Sequence, residues 1–140
     1  FGTVGSNPLR SLALHGRNLL SAKRKVYSAA LTRKNTDLVI RSLRKNKVRV
    51  LTHPGDKGAV YLDEVAEACA ETGTLMEISN RHRQLTVEEI RIASKYDVSF
   101  IIGSDAHVPE GVGTCEGAVR RVIEAGLDPT RVVNLKNGEE

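Results

Sequence analysis

Val98-Ser99-Phe100-Ile101-Ile102-Gly103-Ser104-Asp105-Ala106-His107 is the stretch that decides the fold. An apolar run ends in Gly103 and then sets a carboxylate two residues before an imidazole. This order reads as a buried strand delivering polar ligands at its carboxyl end, where parallel βα folds place their chemistry. Alternate residues of an extended segment share a face, so Asp105 and His107 can point the same way. A second such strand, Val48-Arg49-Val50-Leu51-Thr52, runs into His53-Pro54-Gly55. Two strand ends far apart in sequence, one carrying His53 and the other Asp105 and His107, imply one site assembled from several strands.

The intervening sequence keeps a regular rhythm. Leu62, Val65, Ala66 and Cys69 follow the i, i+3, i+4, i+7 spacing of an amphipathic helix over 62–72, with Gly73 as its C-terminal stop. A strand is expected at 75–78. Thr86-Val87-Glu88-Glu89 is a capping box that opens a helix with Val87, Ile90 and Ala93 on one face. After the third strand, at 98–102, a helix with Cys115, Ala118, Val119, Val122 and Ile123 inward closes at Gly126. Val132-Val133 starts one more short strand. Strands recurring at intervals of roughly 25 residues, with helices between them, predict an α/β fold of parallel βα units.

Residues 1–46 differ, and a division at 46/47 is expected. Asn7-Pro8 reads as a helix start, Gly16 as a break, Ser21 as the cap of a further helix, and Asn35 or Thr36 as the start of a third. This last helix carries Val39, Ile40 and Leu43 inward. The region is also basic. Residues 1–50 hold 12 Lys/Arg against one acid, Asp37, whereas residues 51–140 hold 9 against 16, inside an overall charge of +4. Such asymmetry fits an anionic partner, or a helical face that is simply solvated.

With 140 residues and 40% hydrophobic content the chain can build one ordinary core. No apolar run approaches the roughly 18 residues of a membrane helix, so no membrane association is expected. Cys69 and Cys115 read as buried small hydrophobes rather than a disulfide pair, which suits a reducing, cytoplasmic setting. Phe1 in place of Met leads us to expect a processed or partial chain.

Each strand end carries groups able to bind a metal or an anion. His53, Asp105 and His107 supply imidazole and carboxylate donors suited to Zn²⁺, Mn²⁺ or Fe²⁺. Glu77, inside its strand, is placed to orient a ligand, and Asn80 and Arg81 follow on the same rim; Arg81 is a candidate for binding a phosphate. His15 and His82 have no partner at ligand spacing and read as surface or loop histidines.

These segments carry a resemblance. Leu51-Thr52-His53-Pro54-Gly55, Met76-Glu77-Ile78-Ser79-Asn80, Ile102-Gly103-Ser104-Asp105-Ala106-His107 with Val108-Pro109-Glu110-Gly111-Val112-Gly113, and Arg131-Val132-Val133-Asn134 resemble, in that order, the C-terminal part of the PHP (polymerase and histidinol phosphatase) superfamily. The resemblance covers about residues 35–135. It implies the C-terminal part of a distorted (β/α)7 TIM-like barrel, with residues 1–46 as a basic helical insertion or subdomain. It further implies two or three divalent metal ions in the complete site and hydrolysis of phosphoesters, with His53, Asp105 and His107 as metal ligands and Asp105 and His107 in the catalytic machinery. The family's early His-x-His motif and its Glu ligand have no counterpart in residues 1–46, whose one histidine is His15. The expectation is therefore a C-terminal portion that contributes part of a phosphatase or phosphodiesterase site and is inactive by itself.

The expected substrate is a phosphorylated small molecule or nucleotide. Two other readings stay open: a basic module that binds nucleic acid, and an amidohydrolase-type barrel hydrolase. Exposed edges of a partial barrel also allow self-association. A salt series with DNA and RNA separates the first alternative, because a basic module that fails to bind at low salt is no nucleic-acid module.

Overall fold

The computed structural model describes residues 8–24 and 27–135. Three strands form one parallel sheet in the order β1 (Val50–Leu51), β2 (Leu75–Ser79), β3 (Phe100–Gly103). Helix α3 (Leu62–Thr72) connects β1 to β2, and α4 (Val87–Ala93) connects β2 to β3. Two helices, α1 (Pro8–Arg24) and α2 (Ala29–Lys45), precede the sheet and α5 (Glu116–Ala125) follows it. The expected α/β class with parallel βα units is what the chain forms. Because the strands are parallel, residues 52–56, 79–83 and 103–107 leave the sheet at the same end.

Alternation along the strands divides the sheet into two faces. Met76, Ile78, Phe100 and Ile102 turn inward and pack with Val65, Ala66 and Cys69 of α3, Ile90 and Ala93 of α4, and Ala118 and Val122 of α5. Glu77 and Ser79 occupy the alternate positions of β2, and both are buried too. One face is thus an apolar core and the other carries polar groups.

The helix signals are realised locally. Gly73 and Gly126 close α3 and α5 in the left-handed conformation, at φ 66° and 69°. At α4, Thr86 Oγ1 accepts the Glu89 N–H and Glu89 returns a carboxylate to the Thr86 N–H, completing the capping box. β1 and β3 begin later than their apolar runs, whereas β2 fills its own and adds Ser79. Val48 lies outside the ladder because its carbonyl accepts the Thr74 hydroxyl, and the third strand begins two residues late, at Phe100. Ile123, expected inward, is 72% exposed. It sits about 100° around the helix from Val122, which takes the core-facing position.

Three expectations for the N-terminal region are corrected. Gly16 does not break the first helix, and Ser21 caps nothing, because α1 runs unbroken from Pro8 to Arg24. A helical glycine costs only about 1 kcal/mol relative to alanine, too little to end a helix anchored elsewhere. Here Leu14 is buried and Asn18 exchanges two amide hydrogen bonds with Asn35 of α2, at 2.9 and 2.8 Å. Asn35 and Thr36 do not start a helix; they are buried in the middle of α2, which Ser28 caps. Their polar side chains are satisfied by tertiary partners, Asn35 by Asn18 and the Ala59 carbonyl, Thr36 by the Thr32 carbonyl and the Tyr61 N–H. The expected Asn7 cap lies outside the described residues. So does Lys25 of the cluster Lys23-Arg24-Lys25, together with the side chains of the other two.

Part of the charge asymmetry cancels between neighbouring helices. Arg33 forms a two-pronged pair with Glu64 of α3, at 2.8 and 2.6 Å, and stacks on Tyr61. Arg44 pairs with Glu71 of the same helix at 2.7 Å. Leu43 enters the core of the βα units, with Val39 and Ile40 packed against it. No described helix is long and apolar enough to cross a membrane.

Val132-Val133 forms no ladder; Val132 makes a single parallel bridge to Phe100. The edge of β3 is completed instead by Asn134, whose amide accepts the Ile102 N–H at 2.9 Å and donates to the Ile102 carbonyl at 2.8 Å. Replacing Asn134 with Ala strips both partners from a half-buried strand edge. We expect a loss of about 1–3 kcal/mol, read as a lower urea midpoint at unchanged slope. Both cysteines are free. Burial pushes the Cys69 thiol up to about 12, whereas Cys115 is only half-buried at the start of α5. At pH 8 a thiol reagent should titrate Cys115 and reach Cys69 only after unfolding.

Candidate metal centre

The end of β1 delivers His53 in a strained backbone, at φ 28°, and the loop after β3 delivers Asp105 at φ 49°. Left-handed backbone in residues other than glycine is uncommon, and it persists where the surroundings over-determine it, often at functional sites. At His53 the cause is visible. Its N–H donates to Glu77 Oε2 at 3.0 Å, and its carbonyl accepts the Asp56 N–H at 3.2 Å. The turn through Pro54 and Gly55 (φ 93°) thereby brings Asp56 back to the same rim.

Glu77 is only 8% exposed. Its carboxylate lies against Gly103 of the neighbouring strand, where a Cβ would stand 2.2 Å from Oε1. Glycine at 103 is therefore a requirement of close approach. Two residues on, on the same face of β2, Ser79 Oγ accepts the His82 N–H at 3.1 Å.

His82 stands between two carboxylates. Its Nδ1 is 3.2 Å from Asp56 Oδ1 and its Nε2 is 2.9 Å from Asp105 Oδ2. The His53 and His82 rings lie 4.5 Å apart, centroid to centroid. One ligand atom from each of His53, His82 and Asp105 falls within 4.8 Å of the others. Burial raises the Asp56 carboxyl pKa, but the Lys57 hydrogen bond and the charge of His82 and His53 outweigh it, so the net shift is downward.

Of the residues expected from sequence, His53 and Asp105 are brought together. His107 reaches Asp105 Oδ1 at 3.5 Å with its side chain 63% exposed, and it stands outside the group of three. Arg81 is exposed on the rim. Asn80 turns away from the cluster to α5, where its Oδ1 accepts the Gly117 and Ala118 N–H groups at 2.8 and 3.2 Å. It supplies the cap that Cys115 at the helix start does not.

His82 and Asp56 were not legible as partners in the sequence. Each follows a strand end by a few residues, which is the one signal that marks them. Arg121 holds the loop that carries His82 by donating to the carbonyls of Ser79, Arg83 and Leu85; burial lowers its pKa. A groove of about 600 Å³ runs between α1 and the loop after β1, with His53 on its wall.

Two imidazoles and a carboxylate are the donor set of a borderline divalent ion. Asp105 Oδ2 is shielded from solvent and receives no well-directed hydrogen bond, an arrangement costly to leave without a positive partner. The residues present therefore fit a metal ion.

Comparison with known proteins points the same way. A family model described as PHP-associated matches residues 88–127, which include Asp105 and His107. A probable phosphatase of Syntrophotalea carbinolica is 26% identical over 117 residues, 77% of this chain and 49% of the relative. One from Caldicellulosiruptor bescii is 27% identical over 71% of this chain and 45% of the relative. A third, from Shewanella sp. strain W3-18-1, is 28% identical over 78% and 47%. These matches support a C-terminal portion of the PHP superfamily. The chain spans about half the length of the curated relatives it matches.

The contact between Glu77 and Gly103 gives a direct test of the rim. Gly103→Ala should destabilise the chain by about 1–3 kcal/mol through overpacking. Adding Glu77→Ser should recover part of that loss, with a coupling readable in a double-mutant cycle of thermal or urea melts.

Proposed function

We propose that the protein hydrolyses phosphoesters in a metal-dependent reaction of PHP type, and that this chain contributes part of the metal site. The observation that carries the reading is the convergence of His53 and Asp105, both in strained backbone, on a shielded carboxylate oxygen that lacks a directed hydrogen bond. Our reading extends the three-stranded sheet to part of a distorted (β/α)7 barrel, in which the polar face of β2 looks toward the barrel interior.

A divalent ion in this centre would polarise a phosphoryl oxygen and lower the pKa of a bound water. His53 and Asp105 would hold it, and His107, at 3.5 Å from Asp105 Oδ1, is our candidate for a further ligand. Asp105 has a second carboxylate oxygen with which to accept a proton from an attacking water. Glu77 keeps His53 in place through its backbone N–H. Arg81, exposed at the same rim, is our candidate for contact with the substrate phosphate. The groove beside His53 leaves room for the organic part of a phosphorylated small molecule or nucleotide.

The test is phosphate release from p-nitrophenyl phosphate and its diester by the whole protein, after chelation and after return of Mn²⁺ or Zn²⁺. Chelation should abolish turnover and metal should restore it. Asp105→Ala should lose more than the roughly 10–100-fold typical of changes outside the ligand set. An undiminished rate after chelation, or an Asp105→Ala rate within twofold of wild type, overturns the reading. Residues 1–140 alone should bind metal weakly and turn over little substrate.

A further inference from the structure

We propose that Asp56 and His82 act as a carboxylate–histidine pair that presents His82 Nε2 as a ligand to a divalent metal ion shared with His53 and Asp105. This inference rests on the metal-dependent reading above and adds two residues to its site.

The argument is one of donors and acceptors. An ionised carboxylate only accepts hydrogen bonds, so the 3.2 Å contact between His82 Nδ1 and Asp56 Oδ1 favours the tautomer with its proton on Nδ1. A neutral imidazole has one N–H, and Nε2 then keeps its lone pair. That lone pair faces Asp105 Oδ2 at 2.9 Å. Two electron-rich atoms at this distance repel unless a positive centre, a second proton on Nε2 or a metal ion, joins them. Asp105 Oδ2 has no solvent to supply one and no well-directed hydrogen bond. His53 offers a third donor atom within 4.8 Å of both. A divalent ion satisfies all three, and a carboxylate behind a ligating imidazole is the usual means of fixing its tautomer and raising its basicity.

The surroundings hold this arrangement before any ion arrives. Lys57 takes Asp56 Oδ2 at 2.6 Å, leaving Oδ1 for His82. The turn that makes His53 available also returns Asp56, through the Asp56 N–H to His53 carbonyl bond. On the other side, Ser79 Oγ holds the His82 backbone and Arg121 braces the loop from Ser79 to Leu85. Asp56 is thus a positioning residue, acting on the metal through His82.

Cobalt(II) and zinc(II) serve as probes, by absorbance and by calorimetric titration of the 140-residue chain. Asp56→Ala should weaken binding about 10–100-fold, with part of the loss recovered by Asp56→Asn, which keeps an acceptor oxygen. His82→Ala should weaken it at least as much, and adding Asp56→Ala to His82→Ala should cost little more. Long-range ¹⁵N–¹H correlations on the metal-free chain should show the Nδ1–H tautomer at His82 in wild type and a mixture in Asp56→Ala. Melting curves without metal identify any variant that unfolds, and His82→Gln then replaces His82→Ala. The pairing is overturned if His53→Ala and Asp105→Ala lose cobalt while the Asp56 and His82 variants bind within twofold of wild type. It is also overturned if both His82 nitrogens carry protons and zinc leaves them unchanged. A wild-type chain that binds neither ion overturns the metal reading itself, and this inference with it.

Discussion

A buried carboxylate in the middle strand holds the rim of this protein together. Glu77 is nearly inaccessible, and an ionisable group taken from water must be repaid by specific partners. It binds the backbone N–H at the end of β1 and lies against the one residue of β3 that has no side chain. The three strand ends are coupled through that single group. The strained conformation of His53 follows, because its N–H is committed to Glu77 and its carbonyl to the returning turn.

Around that constraint the polypeptide spends its polar groups in a consistent direction. The apolar face of β2, Met76 and Ile78, packs under the helices, while Glu77 and Ser79 steady the backbones of His53 and His82. Asn80 and Arg121 tie the following loop to α5, one by capping the helix and the other by gathering carbonyls. Asn134 closes the opposite edge of the sheet. These contacts are side chain to backbone, which suits a site that needs fixed loops more than a deep core. The PHP-associated match, over residues 88–127, covers β3 and α5 of this framework.

Much of the architecture was readable from local signals. The helix over 62–72 was expected and found as Leu62–Thr72, because periodicity and a terminal glycine are properties of neighbouring residues. The capping box at Thr86 is equally local. The N-terminal helices depend more on distant partners. Asn35 and Thr36 look like helix starters by composition, yet they lie mid-helix because partners distant in sequence satisfy their side chains. Gly16 has the composition of a breaker, but its small cost is outweighed by the anchors on either side.

The sequence by itself determined the βα order, the parallel class and the placement of His53 and Asp105 at strand ends. Each follows from hydrophobic periodicity, caps and turn residues within a few positions of one another. Only the tertiary structure decided that His82 joins them, that Asp56 stands behind it, and that His107 stays at the margin. Those outcomes depend on loop dihedrals and on three turns meeting across a sheet, and no spacing along the chain encodes such a meeting.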